Sequence, residues 1–298
     1  MASLPSPNSH TSRQRQPWDQ ASNVDGSIPN FSSLYQAFKQ QCATNSSQPH
    51  YMKFVSSKSK ETLLIIPGTP GRAEMAFPLI MAFIERFNII SIDYPVWATT
   101  VADVLAFIDS VLVQEHQQQV HILGGSYGGM IAQCFVRRFP HKVKTLILSH
   151  AGVPDKAWVK YFLPLKRFTA CLPLLILHAL SRLGAPLYFL KAGRQRPFWL
   201  QFYGNIIASL RKDDYVNRIN IWLDLCQNYQ FHPHELDAWQ GKILIVESDN
   251  DFVFQHHNRE TLRSLYPQAH IATYHTAHST TMVDYHSYVR DIENILAN

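Results

Sequence analysis

The 298-residue sequence has few cysteines, and they lie far apart. Cys42, Cys134, Cys171 and Cys226 show no pairing at metal-ligand spacing, which argues against a disulfide framework and a structural zinc site. We therefore expect reduced thiols, mostly buried, in a protein that binds no metal and needs no cofactor.

Long apolar runs are also missing. No stretch has the length of a membrane-spanning helix, although 46% of the residues are hydrophobic. The first residues lack the basic flank and the apolar core of a secretory signal. The sequence thus indicates a cytoplasmic protein with ample material for a core, formed by one large domain or two smaller ones.

Acidic residues are absent from one long segment. From Lys156 to Lys212 there are ten lysines and arginines and no Asp or Glu, while the whole chain carries a net charge of +5. This asymmetry favours a specific role for the segment over general affinity for nucleic acid, which we do not expect as a partner. It predicts contact with an anionic membrane or admission of an acidic substrate; a basic face exposed to solvent is the alternative.

From about Tyr51 onward, short apolar runs alternate with longer helical patterns. Several of the runs are continuous in Ile, Leu and Val, as is typical of parallel strands with helices on both faces. The alternation predicts a three-layer α/β sandwich with a mostly parallel sheet. The predicted strands are Tyr51–Val55, Thr62–Ile66, Asn88–Ile92, Gln119–Leu123, Val143–Leu148, Lys242–Val246 and His270–Tyr274. The predicted helices are Thr99–Gln114, Met130–Phe139, Asn258–Leu265 and Tyr285–Leu296.

Changes in composition divide the chain into three parts. Residues 1–30 are rich in Ser, Pro, Asn and Gln, which predicts a disordered tail. Residues 154–234 are aromatic, basic and helix-prone, with prolines that break them into short helices. We interpret this segment as a helical cap or lid inserted into a core formed by residues 31–153 and 235–298. A second small packing unit is the alternative interpretation.

The pentapeptide Gly124–Gly128 carries the strongest functional signal, because it has the pattern G-x-S-x-G. A serine on a sharp turn between a strand and a helix exposes its hydroxyl. Small residues two positions before and after it let the chain pass close to itself. The pattern alone occurs by chance in roughly one chain in ten of this size. Its place between a predicted strand and a predicted helix indicates that Ser126 is a nucleophile.

An activated serine needs a base, and the base needs a group that orients it. The loop after the strand Lys242–Val246 offers Asp251 as the acid, with Asp249 and then Glu247 as competitors. The loop after the last predicted strand offers His278 as the base. His275 lies nearer that strand and is expected to pack or to bond the backbone. Both loops are predicted at the edge of the sheet where ligands gather.

The same mechanism requires two N–H donors for a developing oxyanion. One is expected from Tyr127, directly after the serine, and the other from the loop Pro67–Gly71 after an early strand. Pro70 cannot donate, which favours the N–H of Thr69. A tight turn without a catalytic role is the alternative for this loop.

With these residues in place, the chain resembles the α/β-hydrolase superfamily over roughly Tyr51 to Leu296. The resemblance implies a helical cap inserted after the sixth strand and an intact Ser-Asp-His triad. More narrowly, the chain resembles the maspardin branch, whose animal members are regarded as adaptors with drifted acid and histidine positions. This sequence departs from those members, because Asp251 and His278 are both present. The similar stretches are Asp93–Val96, His121–Leu148, Cys226–Tyr229 with His234 following, and Leu265–Ala269.

We therefore expect a serine hydrolase that cleaves a carboxylic ester of a largely apolar small molecule through an acyl-enzyme. A non-catalytic adaptor on the same scaffold is one alternative. An aminopeptidase is another, because the double glycine before Ser126 resembles proline iminopeptidases. The sequence leaves the oligomeric state open. Four aromatic residues of the predicted cap are candidates for the substrate pocket, each with core packing as the alternative: Trp158, Phe162, Trp199 and Phe202.

Overall fold

The computed structural model describes residues 28–45 and 47–297. Most of the predicted tail, residues 1–27, lies outside the described residues. The sheet has eight strands in the order β1-β2-β4-β3-β5-β6-β7-β8. The strands are β1 (Ser47–Gln48), β2 (Tyr51–Phe54), β3 (Thr62–Ile66), β4 (Asn88–Ile92), β5 (Val120–Gly125), β6 (Val143–Ser149), β7 (Lys242–Ser248) and β8 (His270–Tyr274).

Among the described residues, each pairing from β4 through β8 in this order is parallel. The pairings of β1 with β2 and of β2 with β4 are antiparallel. Parallel neighbours need a crossover, and the crossovers are helical. The helices are α1 (Phe31–Thr44), α2 (Phe77–Phe83), α3 (Val101–Gln114), α4 (Tyr127–Arg138), α5 (Val159–Cys171), α6 (Leu174–Tyr188), α7 (Arg196–Ala208), α8 (Lys212–Asn228), α9 (His256–Leu265), α10 (Thr280–Val283) and α11 (Tyr285–Ala297).

The core lies on both faces of the sheet. Alternate residues of β3 point to opposite sides, so Leu64 and Ile66 join one cluster while Leu63 and Ile65 join the other. The first cluster packs against α3, α4 and α9, and the second against α1, α2 and α11. This confirms the predicted three-layer α/β sandwich.

Helices α5 to α8 lie between β6 and β7, so the chain leaves the core after the sixth strand, as predicted. We call the segment Lys156–Asn228 the helical insertion. Within the described residues no single helix is long and apolar enough to cross a membrane. The pair Leu174–Tyr188 and Leu190–Ala208 meets that criterion together, with a bend of 111° between them.

The topology brings four loops to one edge of the sheet. β3, β5, β7 and β8 run parallel, and the loops that follow them therefore start at the same carboxyl edge. These loops carry Thr69, Ser126, Asp251 and His278. Residues far apart in sequence are thus placed in one neighbourhood by the strand order.

Candidate active site

Ser126 occupies the turn between β5 and α4. Its backbone has φ 52° and ψ −120°, a conformation that non-glycine residues rarely adopt and that costs roughly 1–3 kcal/mol. The turn also needs glycine at 128, because a Cβ there would lie 2.1 Å from the carbonyl oxygen of Ile66. The Ser126 N–H donates to the carbonyl oxygen of Ser149 at 2.7 Å, which ties the strained turn to β6.

The loop Pro67–Gly71 lies directly against this serine. A Cβ on Gly68 would come within 3.2 Å of the Ser126 Cβ, so a side chain at this position would crowd the serine. The Gly71 N–H donates to the Gly68 carbonyl at 2.8 Å and closes a turn around Thr69. Thr69 itself is exposed, and Tyr127 begins α4, where the first N–H groups lack partners within the helix. Thr69 and Ser126 line the same small cavity, and Tyr127 follows the serine directly.

His278 joins the serine to a carboxylate. Its Nε2 lies 3.0 Å from Ser126 Oγ, and its Nδ1 lies 2.8 Å from Asp251 Oδ2. The other carboxylate oxygen, Oδ1, accepts hydrogen bonds from the N–H groups of Val253 at 2.7 Å and Phe254 at 3.1 Å. His278 and Asp251 are both buried. The geometry is that of an aligned serine, histidine and carboxylate.

The electrostatics fix the direction of each hydrogen bond. Burial opposes ionisation of Asp251, but the hydrogen bond and charge of His278 and the Val253 N–H outweigh it, so the pKa of Asp251 lies below its usual value. An ionised carboxylate only accepts, so Nδ1 of His278 carries a proton and donates to it. In neutral His278, Nε2 is then free to accept the proton of the Ser126 hydroxyl.

The competing acids have other partners. Asp249 lies 2.7 Å from Nδ1 of His275, and both side chains are exposed. Glu247 is buried beside β8 and forms an ion pair with Arg263. Neither acid contacts His278 in the described hydrogen bonds, so the structure places Asp251, of the three candidates, behind this histidine.

A second buried histidine, His150, was not expected from the sequence. It follows β6 directly, and its ring lies 5.4 Å from the His278 ring in an edge-on arrangement. Its Nδ1 lies 3.1 Å from Ser149 Oγ, and its Nε2 lies 2.9 Å from Thr280 Oγ1. Burial and the neighbouring His278 lower the pKa of His150 to about 3, against the opposing effect of Asp251, so it stays neutral. Its position at the carboxyl end of a strand was the signal in the sequence.

Two cavities meet at Thr69. A small one of about 170 Å³ is lined by Ser126, His278 and His150, and Tyr188 closes one side of it. A larger one of about 520 Å³ lies under the helical insertion. Thr69 lines both, so the loop Pro67–Gly71 borders the small cavity at the serine and also the larger space.

The structure corrects the predicted lining of the substrate pocket. Of the four aromatic candidates, Phe162 lines the larger cavity. Trp158 stacks on Phe254 and packs against the core without lining either cavity. Trp199 and Phe202 are buried in the second core cluster among the aromatic rings of α1 and α2, so they serve packing. Trp199, Phe202 and Ile206 recur at spacings of three and four residues, so they share one face of α7, and this face packs into the second core cluster.

Trp222, Arg218 and Asp214 are among the residues of the larger cavity that the sequence analysis did not identify. Trp222 stacks on Tyr127 and Phe162 with ring centroids 4.9 Å apart in each pair. Arg218 and Asp214 lie on the same helix, α8, and line the same cavity. Their spacing of four residues places them on one helix face, but nothing in the sequence showed that this face is buried.

In the ranges 28–45 and 47–297, no group of three or more His, Cys, Asp or Glu side chains is arranged to hold a metal ion. Two of the four cysteines, Cys134 and Cys226, are buried, Cys42 is half-buried and Cys171 is exposed. The groups that converge at the sheet edge, Ser126, His278 and Asp251, are those of acid–base and nucleophilic chemistry.

Solved structures with the same architecture come from several bacteria. A hydrolase from Pseudomonas aeruginosa PA01 superposes with a TM-score of 0.68 at 14% identity, covering 83% of this chain and 94% of its own. An enol-lactonase from Burkholderia xenovorans LB400 gives 0.69 at 12%, covering 84% and 96%. An esterase from Exiguobacterium antarcticum gives 0.66 at 15%, covering 83% and 95%. At these identities the likeness shows the fold alone.

A search of curated protein sequences finds no match to this chain. A family model does match it. The Hydrolase_4 model, described as serine aminopeptidase, S33, matches residues 91–292, well over half of the chain. The matched range contains Ser126, Asp251 and His278. The chain therefore belongs to the Hydrolase_4 family of α/β-hydrolases.

Proposed function

We propose that this protein is a serine hydrolase that cleaves a carboxylic ester of a largely apolar small molecule. One observation carries the proposal. The hydroxyl of Ser126, the imidazole of His278 and the carboxylate of Asp251 form an unbroken hydrogen-bonded chain at the carboxyl edge of the sheet.

In the proposed reaction, Ser126 Oγ attacks the ester carbonyl while His278 Nε2 accepts the hydroxyl proton. Asp251 holds the ring orientation and stabilises the imidazolium that forms. The N–H groups of Tyr127 and Thr69 stabilise the oxyanion, and the helix dipole of α4 adds to this. His278 then protonates the leaving alcohol, and water hydrolyses the acyl-enzyme by the reverse sequence of proton transfers.

The larger cavity supports an apolar substrate. Most of its described lining is aliphatic or aromatic, and the phenyl ring of Phe162 stacks on Trp222 at its wall. Its volume of about 520 Å³ falls in the range of small-molecule pockets. The position of the helical insertion over this space supports its role as a cap.

The finer placement in a maspardin-like branch with a working triad is part of the proposal. It rests on the local similarities around Asp93–Val96 and Leu265–Ala269 and on the presence of both Asp251 and His278. An adaptor role on this scaffold would leave the aligned triad without a use.

The test is the Ser126→Ala variant with a short p-nitrophenyl ester as substrate. We expect kcat/KM to fall by at least about 10⁴-fold, because the nucleophile is removed. Ser264→Ala, an exposed serine on α9, is the matched control and retains wild-type activity. A fluorophosphonate probe should label the wild type and the Ser264→Ala protein, but not Ser126→Ala. Folded wild-type protein that neither turns over esters nor takes the label would overturn the proposal and favour the adaptor.

An aminopeptidase is the second candidate, because the family description names that activity. Such an enzyme needs an acidic group to bind a free amino terminus. The acidic residue among the described lining of the larger cavity is Asp214, and Arg72 Nη2 already lies 3.1 Å from its Oδ2. This favours the ester. Turnover of aminoacyl p-nitroanilides faster than of p-nitrophenyl esters would reverse the preference.

A further inference from the structure

Arg218 is a buried cation without a matching anion. It lies on α8, lines the larger cavity and is 7% exposed. Its Nε and Nη1 have no hydrogen-bond partner among the described residues. A guanidinium buried in this way is unfavourable unless something pairs with it. The structure therefore contains a site whose partner is not supplied by the described chain.

The surroundings of Arg218 position the guanidinium without neutralising it. Its Cζ lies 4.4 Å from the ring centroid of Tyr94, so the aromatic face supports the cation. The nearest acid on its own helix, Asp214, accepts from Arg72 Nη2 at 3.1 Å and from the Arg211 N–H at 2.8 Å. No carboxylate of the described residues lies within ion-pair distance of Arg218. Oδ2 of Asp214 is thus engaged by other donors, while its Oδ1 has no hydrogen-bond partner among the described residues.

The loop Pro67–Gly71 relates this cation to the nucleophile. At one end of its turn, a Cβ on Gly68 would lie 3.2 Å from Ser126 Cβ. At the other end, a Cβ on Gly71 would lie 3.2 Å from Arg218 Cζ. Because a turn of four residues brings its ends within about 7 Å, the guanidinium and the serine are separated by on the order of 10 Å. An acyl chain of a few carbon atoms, with a carboxylate at its far end, is long enough to span this distance.

We propose that Arg218 binds a carboxylate of the substrate, and that the physiological ester carries this carboxylate a few bonds from the scissile carbonyl. The inference rests on the proposed function and specifies its substrate class as a monoester of a dicarboxylic acid or a lactone bearing a carboxylate. Phe162, Leu165 and Phe168 line the same cavity as Arg218 and supply apolar contacts for the part of the substrate that lies in it.

The experiment compares p-nitrophenyl monoesters of glutaric and adipic acid with neutral p-nitrophenyl esters of the same chain length. In the wild type, we expect kcat/KM for the anionic esters to exceed that for the neutral ones by about 30-fold, through a lower KM, because a charged hydrogen-bonded pair forms. In Arg218→Met, this ratio falls to near one. Arg167→Met, an exposed arginine of α5, makes the same change of charge in the same insertion and keeps the wild-type ratio.

Two further measurements keep the inference falsifiable. Arg218→Lys retains part of the ratio, and free glutarate inhibits the wild type competitively but not Arg218→Met. If Arg218→Met fails to fold, the absence of glutarate inhibition in the wild type overturns the inference by itself. Equal turnover of anionic and neutral esters by wild type refutes the carboxylate site and leaves the serine hydrolase standing. Loss of thermal stability in Arg218→Met with an unchanged ratio shows a structural role instead.

A separate observation, on the outer surface of the insertion, carries a second inference. Ile176, Leu183 and Leu187 recur on α6 at spacings of seven and four residues, which places them on one face. They are 44%, 76% and 68% exposed, and Leu180, which lies between them, also lines the larger cavity. Contiguous exposed leucines are unusual on a protein surface and mark a contact site.

The charge of the residues near this stripe indicates which partner it binds. The basic segment contains exposed Arg167, Arg182, Lys191 and Arg194, and no acid lies between Lys156 and Lys212. A symmetric dimer through this face would bring two basic surfaces together. An apolar stripe with basic neighbours matches an anionic lipid surface instead. We infer that the helical insertion contacts the surface of an anionic membrane through this stripe.

The test is cosedimentation with vesicles of phosphatidylserine mixed with phosphatidylcholine. We expect binding that weakens at high salt and is lost with phosphatidylcholine alone. The double variant Leu183→Glu, Leu187→Glu abolishes it, whereas Val113→Glu, at a 60% exposed position on α3, does not. Salt-insensitive binding, no binding, or a leucine-dependent dimer in light scattering each overturn the inference.

Discussion

The carboxyl edge of the sheet and the helical insertion treat their buried polar groups differently. At the sheet edge, Asp251, His278 and His150 are buried, and each has hydrogen-bond partners on both sides of the group. In the insertion, Arg218 and Asp214 are equally buried, yet each has atoms without a partner among the described residues. The side chains of Asp251, His278 and His150 are thus satisfied within the chain, while those of Arg218 and Asp214 are not.

Apolar groups show the same contrast. The strands bury nearly all their Ile, Leu and Val between the helical layers, while α6 leaves a leucine stripe exposed. A fully bonded edge can be organised for the reaction before the substrate arrives, which is what transition-state stabilisation requires. We therefore assign chemistry to the edge and selectivity to the insertion, and the predictions below test that division.

The largest effect is expected at the edge, from Asp251→Asn. The Asn amide can donate to Nδ1 of His278, which leaves the proton on Nε2 and removes the acceptor for the Ser126 hydroxyl. We expect kcat/KM for a p-nitrophenyl ester to fall by about 10⁴-fold, while the circular dichroism spectrum is retained.

Asp249→Asn is the matched control, because it lies two residues away and also pairs with a histidine. The Asp249–His275 pair is exposed, so its loss should change kcat/KM by less than about threefold. Equal loss of activity in the two variants would remove the distinction between the buried pair and the exposed one. The assignment of the chemistry to the buried groups of the sheet edge would then lose its support.

The second prediction separates packing from substrate contact within the insertion. Trp199 is 2% exposed and packs on Phe31 and Phe77 with ring centroids 4.9 and 5.6 Å away. Trp199→Ala should lower the free energy of unfolding by about 3–5 kcal/mol, measured by urea denaturation. Phe162→Ala, at the cavity wall, should cost much less and change the preferred chain length in an ester series. A stable Trp199→Ala with altered chain-length preference would contradict this assignment.

The fold was largely predictable because its signals are local. The runs of Ile, Leu and Val that form β3 and β4 begin and end where the sequence predicts. Helix α2 was missed because Phe77–Phe83 is short and apolar on all sides, which leaves no period to detect. Helix α1 was missed because its apolar residues, Phe31, Leu34 and Phe38, are few among polar ones.

The proposed triad could be located from sequence because each residue follows a strand, and parallel strands share an edge. Arg218 could not, since an arginine within a helix usually lies in solvent and only the fold buries it. The lining of the cavity depends on which face of each helix in the insertion points inward. For this reason Trp199 and Phe202 were predicted to line the pocket, whereas they lie in the second core cluster. Tertiary packing, not local pattern, decides that orientation.

The smallest effect concerns the pH dependence of stability, and it arises at His150. In the folded state the pKa of His150 is lowered to about 3 by burial and by His278, while in the unfolded chain it returns to about 6.5. Above pH 6.5 His150 is neutral in both the folded and the unfolded state, so it does not reduce the free energy of unfolding. As the pH falls below 6.5, only the unfolded chain takes up the proton. The free energy of unfolding therefore decreases by about 1.4 kcal/mol per pH unit, until the pH approaches the folded value.

Between pH 6.5 and 4.5 this group should thus cost the wild type about 2–3 kcal/mol, measured by urea unfolding at a series of pH values. His150→Gln cannot titrate, so its profile should be flatter by that amount, whatever its absolute stability. Asp251 does not interfere, because its lowered pKa removes its contribution only at more acidic pH. His275→Gln, exposed at the same edge, should keep the wild-type slope. If the free energy of unfolding changes with pH equally in His150→Gln and in the wild type, His150 is protonated in the folded protein at mildly acidic pH. The buried hydrogen bonds at the sheet edge would then not keep this histidine neutral.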